Sequence, residues 1–216
     1  MTTRIAVAVE TTPKKTFATA VDWPGWSRAA KTEADALAAL MSYADRYALV
    51  AAAAGESLPT DALQLDLAES GPGNATTEFG APGRVADADR RPTTPAEADR
   101  LARIVAAAWA ALDTSVATAP EILRKGPRGG GRDTAKIVEH ALMADHAYAR
   151  EMGLRLPAPS ASDPKSVAAL RAAILTTLRR PSDGAPLADR KWPARYAAAR
   201  IAWHTLDHAW EIEDRS

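Results

Sequence analysis

The sequence predicts an α+β fold, a small antiparallel sheet carrying one helix followed by an all-α four-helix bundle. Three observations lead there. Apolar residues alternate at every second position in short runs within residues 1–69, as half-buried strands require. Residues 70–93 lose every periodicity and concentrate Gly, Pro, Thr and Asp, the composition of a linker at a domain boundary. From 94 to 216, four separate runs repeat their apolar residues at helical spacing.

In the first unit Ile5, Val7 and Val9 alternate with small or polar residues. After a turn-like break at residues 11–15, Phe17, Thr19, Val21 and Trp23 alternate again, and a hairpin accounts for both runs. Pro24-Gly25 interrupts the chain, and Trp26 to Lys31 is long enough for a third short strand. Thr32, with Asp35 three residues on, is placed to cap a helix. Leu37, Leu40, Met41, Ala44, Tyr47, Ala48 and Ala51 continue that helix to about Gly55. Leu63, Leu65 and Leu67 form the last strand. One helix laid on a small sheet buries the apolar face of each.

The segment from Asp22 to Leu37 joins an Asp22-Trp23-Pro24-Gly25 turn to a helix capped by Thr32 and opening on Ala36-Leu37. It resembles the HicB antitoxin fold over roughly residues 4–68. The resemblance implies a module that engages a protein partner. HicB proteins usually join it to a DNA-binding helix-turn-helix or ribbon-helix-helix, and neither pattern follows here. Lys+Arg 27 against Asp+Glu 27 also leaves no net field to draw in nucleic acid, so no such partner is expected.

Composition narrows the chemistry. Cys 0 removes disulfides, thiolate metal sites and a cysteine nucleophile together, leaving imidazoles and carboxylates as metal ligands. The N-terminus lacks an apolar leader and no later run reads as a bilayer span, so a cytoplasmic protein without a membrane partner is expected.

The second unit opens at Thr94-Pro95-Ala96-Glu97, with a capping hydroxyl, Pro at the first helical position and Glu at the third. Leu101, Ile104, Val105, Ala108 and Leu112 give this helix one apolar stripe. Asp133 is placed to cap a second helix, whose inward face is Ile137, Ala141, Ala144 and Tyr148 and which stops at Gly153. Asp163-Pro164 starts a third, carrying Val167, Leu170, Ile174 and Leu178 and ending at Pro181. Pro193 starts a fourth that runs nearly to the end. Four such stripes imply a bundle.

The chain's 4 histidines all fall in these helices. At about 100° per residue, His204 and His208 share the stripe of Ala197, Ile201 and Ile212 and face inward. His140 flanks the inward face of its own helix, whereas His146 points away. Helical phase therefore nominates His140, His204 and His208 as metal ligands and rejects His146.

Lys136-Ile-Val-Glu-His140-Ala-Leu-Met-Ala-Asp-His-Ala-Tyr148 followed by His204-Thr-Leu-Asp-His208 resembles the DinB-like bundle family over about residues 94–213. That family includes metal-dependent thiol transferases acting with bacillithiol or mycothiol, and a mycothiol-dependent maleylpyruvate isomerase. Its pattern has one His on the second helix and an H-x-x-x-H pair on the last, together holding one divalent ion. Carried onto this chain, the ligands are again His140, His204 and His208, and the implied cofactors are a divalent metal (Zn, Ni, Fe or Mn) and a low-molecular-weight thiol. Asp207 and Glu211 are the candidates to orient the ligands from behind.

Two further features stand out. The basic, Gly-rich stretch Arg124 to Asp133 leads into a helix N-terminus, where Arg128 and Arg132 are candidate anion contacts. The last helix has a second apolar stripe, Trp203, Leu206 and Trp210, expected to pack on the N-terminal module or on a second subunit of a homodimer. Two functions fit these residues: a metal-dependent, thiol-using S-transferase or isomerase, or a non-enzymatic, antitoxin-like interaction protein with the bundle as scaffold.

Overall fold

In the computed structural model, which describes residues 2–126 and 131–216, the first alternating run forms β1 (Thr3–Thr11). β2 (Thr16–Ala20) returns antiparallel to it, and β3 (Ser27–Ala30) pairs antiparallel with β2. Two helices follow, α1 (Glu33–Ser42) and α2 (Ala44–Ala53), and then β4 (Leu63–Pro72). The sheet order is β3-β2-β1-β4, and β4 runs parallel to β1. The sheet is therefore mixed, which corrects the antiparallel expectation. A helical crossover is long enough to bring the chain back to the same end of the sheet, and alternation alone carries no information on direction.

The single expected helix is also two. Thr32 caps α1 as anticipated, its hydroxyl accepting from the Asp35 N–H at 3.1 Å. At Tyr43 the backbone leaves helical geometry (φ −97°, ψ 4°). The break re-aims the chain, so that α1 lies on the sheet while α2 packs on the first long helix. No Gly or Pro marks it.

Residues 70–93 hold the end of β4, a short helix α3 (Ala75–Phe79) capped by Asn74, and a 3₁₀ turn at Asp87–Arg90. A buried carboxylate on β1 holds this stretch down: Glu10 accepts from the N–H groups of Gly83 (2.7 Å) and Arg84 (2.5 Å). Arg84 pairs in turn with Glu69.

Four long helices complete the chain: α4 (Pro95–Thr118), α5 (Thr134–Glu151), α6 (Pro164–Leu178) and α7 (Ala194–Arg215). The Thr94–Glu97 capping box at the start of α4 forms as read. α4 packs on α6 and α7, and α5 on the same two, closing a ring of four. By length and apolarity α4 would also pass as a membrane span, contrary to the expectation that no run would. Half of that apolar window is buried in the fold.

The core does not stop at the linker. One cluster of buried side chains runs from Ile5, Val7 and Trp26 through Leu40 and Tyr47 to Leu101, Ile174 and Leu206. α7 is its axis, buried on nearly all sides. Its Trp203–Leu206–Trp210 stripe is covered by the N-terminal unit. Trp203 meets Phe17 edge-on at 5.8 Å, and Trp210 meets Tyr43 at 5.0 Å with the guanidinium groups of Arg28 and Arg46 nearby. Leu206 lies under the Pro24-Gly25 turn. Trp26, stacked on Tyr47 at 5.3 Å, fixes that turn from behind, and the Tyr47 hydroxyl donates to the Pro24 carbonyl at 2.8 Å.

Gly25 has φ +93°, and a Cβ there would stand 2.8 Å from the Ala202 Cβ. Both the conformation and the close approach to α7 require glycine. Gly25→Ala is expected to destabilise the protein by about 1–3 kcal/mol, as overpacking does. Urea unfolding followed by tryptophan fluorescence checks this; a wild-type midpoint would contradict it.

Candidate metal centre

The sequence places polar residues on α7 at one-turn intervals: Arg200, His204 and His208, then Glu211 and Arg215. Both histidines are only 8% exposed. Opposite them α5 presents His140, half-buried, because α5 packs directly on α7. The ring centroids lie 5.1 Å (His140–His204), 5.0 Å (His140–His208) and 4.6 Å (His204–His208) apart. One nitrogen from each comes within 4.8 Å of the others, so the three could hold a metal ion.

Hydrogen bonding and burial prepare them for a cation. Glu211 Oε2 lies 2.9 Å from His208 Nδ1. That bond, ahead of any other cause, holds the Glu211 carboxyl below the usual carboxylate range, although burial opposes it. An ionised carboxylate only accepts, so Nδ1 carries the proton and Nε2 is the nitrogen left to meet a ligand. The Nδ1 of His204 is buried and has no hydrogen-bond partner among the described residues, which suits a site that a ligand completes.

Burial is the main force pushing the His204 pKa down to about 2, helped by His208, His140, Arg200 and Arg132. His140 is also lowered, first by burial and then by His208 and Arg132, with Glu211 pulling the other way. Two of the three rings are thus held neutral at physiological pH, the form that ligates. Tyr148, about two turns further along α5, sets its ring edge-on to His204 at 5.7 Å, and burial keeps its hydroxyl protonated.

The other nominated residues divide. Glu211 stands behind His208 as anticipated. Asp207 does not join the cluster: its carboxylate pairs with Arg28 of β3 at 3.0 Å, tying α7 to the sheet. The exposed Arg132 stands near enough to bear on His140 and His204 electrostatically. Arg128 lies outside the described residues. His146 is remote from the three, its Nε2 2.9 Å from the Leu156 carbonyl oxygen.

Three residues with a place here escaped the sequence reading. Arg200 and Arg215, each 8% exposed, bracket the histidine pair, and their spacing of four from His204 and from Glu211 was the available signal. Tyr148 was read only as a core residue; its separation of eight from His140 puts it on the same helix face two turns on. Comparison with known proteins adds nothing to these residues: no family model, curated protein or solved structure matches the chain.

The depressed His204 pKa has a sign-definite consequence. Between about pH 2 and the unfolded value near 6.5, only the unfolded state protonates this ring, so its contribution is full above pH 6.5 and lost on acidification. Asp145, pushed up to about 7 mainly by burial, acts oppositely over part of that range, so a difference between two proteins isolates the histidine. Metal-free His204→Asn should gain on wild type by about 1.4 kcal/mol per pH unit as pH falls from about 6 to 4. Urea unfolding across that range measures it; a pH-independent difference would contradict the burial of a neutral ring.

Proposed function

We propose that this chain binds a divalent metal ion through His140, His204 and His208, and that its reaction class is DinB-type, thiol-dependent S-transfer or isomerisation. One observation carries the metal reading. One nitrogen from each of three imidazoles comes within 4.8 Å of the others, and His204 has a buried nitrogen that no group among the described residues satisfies. Leaving such an atom unmade costs about 1–3 kcal/mol, which a bound cation would offset.

The DinB reading is supported by the order of the helices, with one His on the second and an H-x-x-x-H pair on the last. The strand–strand–strand–helix order of the first unit is what supports a HicB-like module, and with it a protein partner. Imidazole ligands are compatible with Zn, Ni, Fe or Mn. A divalent ion held there lowers the pKa of a bound water or thiol, supplying a nucleophile at neutral pH.

The chain's own residues do the rest. Glu211 keeps His208 in the Nδ1–H tautomer. Tyr148 covers the His204 side with an aromatic wall, and its protonated hydroxyl is a hydrogen-bond donor rather than a base. Arg132 adds positive charge at the exposed edge, favouring a thiolate or carboxylate co-substrate.

Metal analysis of protein purified without a histidine tag tests the reading. A stoichiometric divalent ion is expected, lost in His140→Ala, His204→Ala and His208→Ala and kept in His146→Ala. Undiminished metal in His204→Ala would overturn the ligand assignment. Wild type that takes up no metal even when supplied would favour the non-enzymatic interaction protein.

A further inference from the structure

We propose that Arg215, the last residue of α7, is a positioning residue for the metal centre, setting its affinity through Glu211 and the connection from α4 to α5. The inference rests on the metal reading above.

The final turn of a helix normally frays, and its carbonyls go to water. Arg215 does neither. Its Nη1 donates to Glu211 Oε1 at 2.7 Å and to the Arg132 carbonyl at 2.8 Å, and its Nε donates to the Arg124 carbonyl at 2.7 Å. Its own carbonyl accepts from the Arg124 N–H at 2.8 Å. One guanidinium thus ties the helix end to two points, Arg124 and Arg132, on the connection that leads into the His140 helix.

The connection is shaped to admit it. Gly131 has φ +138°, and a Cβ there would stand 2.4–2.8 Å from the Arg215 guanidinium. Only glycine leaves that space.

Glu211 sits between the two partners, Oε2 on His208 and Oε1 on Arg215. A glutamate held at one oxygen still has freedom about its side chain; held at both, it has one orientation, and so does the imidazole it grips. The bond to Arg132 meanwhile fixes the backbone of the residue whose charge bears on His140 and His204. The two other arginines near this stripe lack such a link. Arg200 donates to the Pro82 carbonyl and pairs with no carboxylate among the described residues. Arg46 pairs with Glu213 and Asp214 in the same final turn as Arg215, on a face without a histidine.

Zinc affinity, measured on the untagged full chain by competition with a chromophoric chelator, separates these roles. Removing a partner behind a metal ligand weakens binding by roughly 10–100-fold, and Arg215→Met is expected near the lower end. Gly131→Ala, which touches neither Glu211 nor any ligand, should weaken zinc comparably, and Arg215→Lys less. Arg46→Met should bind as wild type. Nitrogen NMR of the metal-free proteins should show His208 as the Nδ1–H tautomer in wild type and as a mixture in Arg215→Met. Wild-type zinc affinity in Arg215→Met would overturn the inference. Equal weakening in Arg46→Met would do so too, because it would reveal general fraying. If wild type binds no zinc, the metal reading fails by itself, and an unchanged His208 tautomer in Arg215→Met then overturns the positioning role independently.

Discussion

A helix buried on nearly all sides constrains every polar side chain it carries, and α7 buries five, Thr205 at 1% exposed and Arg200, His204, His208 and Arg215 at 8% each. This constraint organises the second half of the molecule. Arg215 and His208 are satisfied by sharing Glu211. Arg200 reaches across to the Pro82 carbonyl. His204 is left with a nitrogen that no group among the described residues satisfies. Buried atoms of Asp145, Arg171 and Arg200 also lack a partner among the described residues, but of these four only that of His204 belongs to a ring packed against two further imidazoles, where a ligand can complete it.

The same helix accounts for the union of the two halves. Its apolar stripe, Trp203, Leu206 and Trp210, lies against Phe17, the Gly25 turn and Tyr43, while the opposite face carries the histidines. The N-terminal sheet therefore forms one wall of the packing that holds α7, and through α7 the metal ligands, in place. Asp207, paired with Arg28, belongs to that docking rather than to the metal centre.

Much of the candidate site was legible in the sequence because helical phase is a local property. Helical phase nominates His140, His204 and His208, and the run of α7 offers Asp207 and Glu211 together as partners behind them, of which Glu211 alone takes that place. The convergence of the three histidines was not legible, since it depends on α5 packing against α7. Arg215 went unread for a related reason: its partners Arg124 and Arg132 offer main-chain carbonyls, which no side-chain pattern records. In the first unit the strands were visible from alternation, but the parallel pairing of β4 depends on the length of a crossover. The break at Tyr43 has no Gly or Pro to announce it. Residues 70–93 read as a linker because what holds them is a set of long-range polar contacts, such as Glu10 with the N–H of Gly83 some 73 positions away and Arg200 with the Pro82 carbonyl, which leave no periodicity in the sequence.

The account stands or falls on whether three imidazoles share one ion. X-ray absorption spectroscopy of the zinc-loaded, untagged protein tests that most directly. It should show three imidazole nitrogens around the metal, with the multiple-scattering signature of rings from His140, His204 and His208. A first shell made of oxygen alone, or one unchanged when His204 is replaced by Ala, would contradict it.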